Sequence, residues 1–120
     1  MNTTEVKKKQ TTNIKIKTID INALEWFDKV NGNSYFAATA IINYQMKTER
    51  RFILPFQYGY GDHYIDMAKQ HMNKQGYLKD LKKYDIGGFE SLWGYCDNRK
   101  IVLRTSKRAN CLQRELKSIN

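Results

Sequence analysis

The hydrophobic pattern of this chain first changes period at Tyr58-Gly59-Tyr60-Gly61, and that switch limits what can form on either side. Before the loop, apolar residues nearly alternate over residues 14–21 and again at Phe52, Leu54 and Phe56, the repeat of a strand with one dry face. After it, Tyr64, Ile65, Ala68 and Met72 gather within about 100° of arc on a 3.6-residue wheel, the repeat of an amphipathic helix.

Ile14, Ile16, Ile19 and Ile21, interleaved with Lys15, Lys17 and Asp20, predict a first strand. Leu24-Glu25-Trp26-Phe27 continues it past a kink expected near Asn22. Asn31-Gly32-Asn33 predicts a tight hairpin turn, because Asn-Gly tolerates positive φ. Residues 34–44 read as a second strand and 50–56 as a third, with Phe52, Leu54 and Phe56 on one face. Pro55 has no amide to donate, so the third strand ends there or lies at an edge. Downstream, Asp62 predicts a helix cap and Gly76 a stop, and Gly87-Gly88 marks a break. Residues 89–97 suggest a short helix or turn holding Leu92, Trp93 and Tyr95, and residues 100–105 a fourth strand. Ser106 is the expected cap of a final helix on which Ala109, Leu112, Leu116 and Ile119 form a seam, with Lys107 and Arg114 pointing away from it.

The expected fold class is therefore α+β: a three-stranded antiparallel meander plus a fourth strand, packed against one main helix and short C-terminal helices. Residues 1–13 are polar and lysine-rich, which predicts a mobile basic arm ahead of a single domain over residues 14–120. A chain of 120 residues is enough for one core, since it buries roughly two-thirds of its unfolded surface. No apolar run is long enough to span a bilayer, and no signal-peptide core follows the first lysines, so the cytosol is the expected compartment. Cys96 and Cys111 then read as reduced, partly buried thiols.

The residues offer little for catalysis. His63, His71, Cys96 and Cys111 show neither C-x-x-C nor H-x-x-x-H spacing. The two histidines would lie roughly 12 Å apart along a helix, too far to share an ion, so no metal and no cofactor is expected. Cys111 sits among Lys107, Arg108 and Arg114, which would favour thiolate if it were exposed, yet no recognised nucleophile context surrounds it. Asp62 and Asp66 lie one turn apart and suit the positive end of a helix. The glycine loop lacks the G-x-G-x-x-G spacing and a P-loop lysine, and reads as a tight strand-to-helix connection. No catalytic residue is assigned. A small metal-dependent nuclease or other hydrolase on Asp62 and His63 is the weakest alternative.

Charge is more informative because it is uneven. Residues 1–17 hold five Lys against one Glu, and residues 99–117 hold seven Lys or Arg against Glu115, while the middle is near balance. The surplus of +9 thus sits at the two ends. If those ends meet, they form one surface that attracts polyanions. The candidate nucleic-acid-binding residues are Arg99, Lys100, Arg104, Lys107, Arg108, Arg114 and Lys117, with Lys7, Lys8 and Lys9 assisting. The rival reading is a protein–protein module anchored on Tyr58, Tyr60, Tyr64 and Trp93, because interface energy concentrates in aromatic residues. Exposed rings beside basic strands also hold single-stranded nucleic acids.

The series Trp26-Phe27-Asp28-Lys29, Gly32-Asn33-Ser34-Tyr35 and Tyr58-Gly59-Tyr60-Gly61-Asp62-His63-Tyr64 resembles a group of small uncharacterised bacteriophage and prophage proteins. Their pattern is W-F, a gap, G-N-[ST]-Y, a strand pair, then Y-G-Y-G-[DN]-x-Y opening a helix. The resemblance spans about residues 26–68, leaves out both basic ends and brings no catalytic residues. It implies a non-enzymatic accessory protein of a phage or mobile element. Such a protein would bind nucleic acid, RNA or DNA, or a host nucleoprotein complex, in the manner of an anti-CRISPR inhibitor of bacterial immunity.

Overall fold

A computed structural model of the chain describes residues 14–82 and 88–119; the predicted arm over 1–13 lies outside them. The strands are β1 (Thr18–Asp28), β2 (Asn33–Ile42), β3 (Arg50–Tyr58) and β4 (Val102–Arg108). The helices are α1 (His63–Lys74), α2 (Leu92–Asn98) and α3 (Gln113–Lys117). The sheet order is β3-β2-β1-β4, with β1–β2 and β2–β3 antiparallel and β4 parallel to β1. This is the α+β class expected from the sequence. The direction of the fourth strand is the new element. Parallel pairing requires a crossover, which the segment carrying α1 and α2 supplies.

The hairpin between β1 and β2 turns through four residues, Lys29 to Gly32, rather than through a two-residue Asn-Gly turn. Gly32 alone of these takes positive φ, at 73°, and its amide donates to the Asp28 carbonyl at 2.7 Å. The Asp28 carboxylate organises the loop, accepting from the amides of Val30 (3.0 Å) and Asn31 (3.3 Å) and from the Asn31 side chain (2.9 Å). Those bonds, the Asn31 side chain foremost, lower the Asp28 pKa.

Pairing of β1 with β2 runs in unbroken register from Ile19↔Ile42 to Asp28↔Asn33, so the kink expected at Asn22 does not interrupt the ladder. The lapse in alternation has another cause: the two halves of β1 bury different faces. Ile19, Ile21 and Ala23 join Phe36, Ala38, Ala40, Ile42 and Leu54 on a first face, under Tyr64, Ile65, Ala68 and Met72 of α1 and Leu92, Tyr95 and Cys96 of α2. Leu24 and Trp26 point to the second face, with Tyr35, Ala37, Phe56, Cys111, Leu116 and Ile119.

Phe56 is a related correction. Ala38 pairs with Leu54 but Phe36 pairs with Gln57, so two residues of β3, Pro55 and Phe56, oppose Ala37 alone. That β-bulge adds one residue to a period-two strand and sends Phe56 to the face opposite Phe52 and Leu54. Pro55 sits at the bulge of an edge strand, where no ladder bond is lost.

The C-terminal reading also shifts. Strand β4 runs to Arg108, so Ser106 lies inside it and caps nothing, and Lys107 is a strand residue. Helix α3 is short, and its start is held by Glu115, whose Oε1 accepts from the Leu112 amide at 2.6 Å. Of the predicted seam, Leu116 and Ile119 pack inward whereas Ala109 and Leu112 stay exposed. At α1, Asp62 holds the N-cap position without a side-chain cap bond, and Gly76 follows the C-cap with φ 85°. The cap of α2, which the sequence did not suggest, comes from Ser91, whose hydroxyl accepts from the Gly94 amide.

One buried polar residue ties the sheet's near end. Asn43, with no exposed surface and φ 55°, accepts from the amides of Lys17 (2.7 Å) and Thr18 (3.3 Å). It donates to the Lys15 carbonyl and the Thr48 hydroxyl, both at 2.9 Å. Replacing it orphans four groups at once and puts a Cβ-only side chain in the left-handed region. Asn43→Ala is expected to lower unfolding free energy by about 2–4 kcal/mol in a denaturant titration.

Candidate nucleic-acid interface

The parallel pairing of β1 and β4 brings Lys15 and Lys17, the described part of the N-terminal basic segment, beside the C-terminal one. The Val102 amide donates to the Lys17 carbonyl at 3.0 Å, and Thr18 pairs with Val102, so Lys15 and Lys17 run beside Lys100. All three side chains are exposed and make no ion pair among the described residues. Lys100 holds φ 57°, which bends the chain into β4. A cleft of about 360 Å³ opens beside this edge, lined by Lys15, Tyr77, Lys79, Tyr95, Arg99 and Ile101 among others.

Three other cations of the C-terminal cluster, Arg104, Lys107 and Arg108, are engaged within the molecule. Arg104 meets Asp20, its register partner, in a two-pronged pair: Nε to Oδ1 at 2.6 Å and Nη2 to Oδ2 at 2.9 Å. Lys107 projects to the first face and joins Glu25 at 3.2 Å and the Gly61 carbonyl at 3.1 Å. Arg108 pairs with Glu115 at 3.2 Å. Arg104 and Arg108 keep more than half of their side-chain surface in solvent, at 55% and 65%, and remain presentable to a ligand. Arg114 and Lys117 are exposed on α3, with the Lys117 ammonium 5.1 Å from the Phe56 ring centroid.

Arg99 is a correction. It lies 3.7 Å over the Tyr95 ring, donates to the carbonyls of Tyr95 and Asp80, and pairs with buried Glu90 at 3.4 Å. It is a structural joint between α2 and the segment after α1, with both Nη groups engaged. Lys7, Lys8 and Lys9 lie outside the described residues.

The four aromatic candidates do not form one patch. Tyr64 is 4% exposed in the first core and is not a surface anchor, because the wheel position that made it part of the helix's apolar face also buries it. Tyr58, 57% exposed, belongs to the second face, and Tyr60 stands out from the loop. Trp93 is half exposed beside Phe89 over a cleft of about 320 Å³ that Asp62, Ile65 and Asp66 also line. The glycine loop is the tight connection expected: Gly59 has φ 154°, and a Cβ there would stand 2.5 Å from the His63 ring.

Sequence reasoning missed the rings that accompany Tyr58. Trp26 pairs with Tyr35 across one strand gap and Tyr35 with Tyr58 across the next, so three aromatics share one level of the sheet. Tyr35 and Phe56 stack with centroids 5.1 Å apart and planes at 5°, and Tyr58 meets Tyr35 edge-on at 5.8 Å. The signal was present in the placement of Trp26 and Tyr35 about the hairpin, but Phe56 needed the bulge.

Among the described residues, no group of three or more His, Cys, Asp or Glu side chains gathers. His63 packs edge-on to Phe36 and His71 stacks on Phe52 at 4.3 Å, where burial first and Lys74 second lower its pKa. Both cysteines are buried and unpaired. Burial pushes the Cys96 thiol up to about 11, which keeps it neutral at physiological pH. The Cys111 thiol points to the Arg108 carbonyl at 3.2 Å and is not the exposed group that thiolate reactivity requires. No described helix is long and apolar enough to cross a membrane. No family model, curated protein or solved structure matches the chain.

Glu90 gives the Arg99 joint a measurable signature. The Lys82 amide, first, and then Arg99 hold its carboxyl below the ordinary 4.5 against the opposing effect of burial. A lowered carboxylate contributes stability that is complete above its unfolded value and is lost as pH falls through the folded one. Glu90→Gln is therefore expected to flatten the acid limb of the stability curve below pH 4.5 and to lower stability at neutral pH, read from melting temperatures across a pH series.

Proposed function

We propose that this chain is a non-enzymatic accessory protein of the bacteriophage kind, acting in the bacterial cytosol by binding a nucleic acid or a host nucleoprotein complex. An anti-CRISPR-like inhibitor that occupies a guide-RNA or DNA path is its concrete form. The observation that carries this reading is the parallel β1–β4 pairing, which sets Lys15 and Lys17 beside the basic C-terminal segment along one edge. Nine cations lie on it or on the segment after it, from Lys15 and Lys17 to Lys117, against the four carboxylates Asp20, Glu25, Glu90 and Glu115 that pair with them. Mechanism is then occupancy: Lys15, Lys17 and Lys100 engage phosphates directly, while Arg104 and Arg108 offer the donors their carboxylate partners leave free. The Trp93–Phe89 cleft supports a second reading, a protein–protein module, because its lining pairs exposed rings with Asp62 and the Asp66–Lys69 ion pair and offers no excess of cations to a polyanion.

Charge reversal at Arg104 would set two carboxylates against each other in the sheet, so the unpaired lysines make the cleaner test. Binding to labelled RNA and duplex DNA across a salt series is expected to show affinity falling steeply with salt. In Lys15→Glu/Lys17→Glu/Lys100→Glu, affinity should fall at least about tenfold, and the log–log salt slope should shrink by about 0.7–0.9 for each phosphate that is no longer neutralised. Binding that is absent in the parent protein, or unchanged in the triple variant, would overturn this assignment.

A further inference from the structure

We infer that the polymer this surface takes is single-stranded, and that the aromatic row on the second face stacks its bases; this rests on the nucleic-acid reading above. Two features of that face point the same way. The first is a set of rings carried by three neighbouring strands, ending at Tyr58, whose ring is more than half exposed. The stacked pair Tyr35–Phe56 braces Tyr58 from one side, and Trp26 closes the row behind them at 5.5 Å from Tyr35 and 6.2 Å from Phe56. Such a ring is held in orientation before any ligand arrives, so little side-chain freedom is lost on stacking.

The second is the charge that accompanies the row. Helix α3 packs across β1, β2 and β3 on this face and carries Arg114 and Lys117 on its exposed side. Lys117 lies over Phe56, next in the row to Tyr58, and has no carboxylate partner among the described residues. Arg108 stands at the β4 end of the same face, level with Leu24. Arg108, paired with Glu115, then Arg114 and Lys117 thus lie between β4 and the rings, with one carboxylate among three cations. A duplex keeps its base faces inside its own stack and presents only phosphates, so exposed rings add little to duplex binding. A single strand presents both phosphates and base faces, and every base has a π-face to offer, so stacking is tolerant of sequence. RNA and DNA strands share this chemistry.

The test compares labelled oligo-dT and oligo-U strands with a duplex of equal length by fluorescence polarisation, using the parent protein, Tyr58→Ala and Tyr58→Trp. Strands are expected to bind more tightly than duplex. Tyr58→Ala should weaken strand binding by roughly five- to a hundredfold while leaving duplex binding as it was, and Tyr58→Trp should restore it. Tyr58 is exposed, and unchanged melting of the variants separates lost stacking from lost folding. Strand binding that survives Tyr58→Ala, or a duplex bound as tightly as a strand, overturns the inference and leaves the phosphate-binding reading standing. Displacement of the strand by polyglutamate as readily as by unlabelled strand overturns it too, since the face would then take any polyanion. No binding of either polymer at low salt overturns both.

Discussion

Hydrogen bonding between β1 and β4 is the constraint on which the other features of the molecule rest. It makes β1 an interior strand, paired on both edges, and leaves β3 and β4 as the rims. It obliges the chain to cross over the first face between β3 and β4, which is where α1 and α2 lie and where the main core forms. It also sets residues far apart in sequence side by side: Asp20 against Arg104, Asn22 against Ser106. The polar pairs of the exposed part of the sheet are thus consequences of strand direction and register.

Those pairs serve alignment more than stability. Exposed ion pairs are worth roughly 0–1 kcal/mol each, and the Arg104–Asp20 pair is open to solvent on the arginine side. A slip of one residue in β4 would turn Arg104 and Arg108 to the core face and Leu103 and Thr105 to solvent, so the register is set first by burial and then confirmed by charge. The same arrangement neutralises part of the basic surface. Among the described residues of this surface, those without an ion pair are Lys15, Lys17 and Lys100 at one end and Arg114 and Lys117 at the other, a smaller and more specific set of cations than the sequence count suggests.

The buried polar groups have a different role. Asn43, Glu90 and the Tyr95 hydroxyl are each satisfied by backbone groups: the Lys17 and Thr18 amides, the Lys82 amide, and both amide and carbonyl of Lys79. Glu90 and Tyr95 complete the hydrogen bonding of the segment after α1, which has no strand or helix partner of its own, and Asn43 does so for the amides at the very start of β1. A buried amide or carbonyl without a partner is costly, so such segments keep one conformation. Arg99, a binding candidate by residue type, is tied into this scaffold through Glu90.

The sequence by itself determined the elements whose cause is local. Period-two alternation placed β1 and β3, an apolar run bounded by turns placed β2, the 3.6-residue repeat placed α1, and Gly32, Gly59 and Gly76 marked turns that need φ values other residues resist. The clustering of charge at the two ends was equally legible. What only the tertiary structure decided is everything that depends on a partner strand or a covering layer. The direction of β4, its extension through Ser106 to Arg108, the bulge that carries Phe56 to the second face, and the burial of Tyr64 all arise from neighbours distant in sequence. Local pattern records how often a side chain is dry, but not which face is dry or what covers it, because hydrogen-bond direction and packing are settled between segments and leave no period in either one.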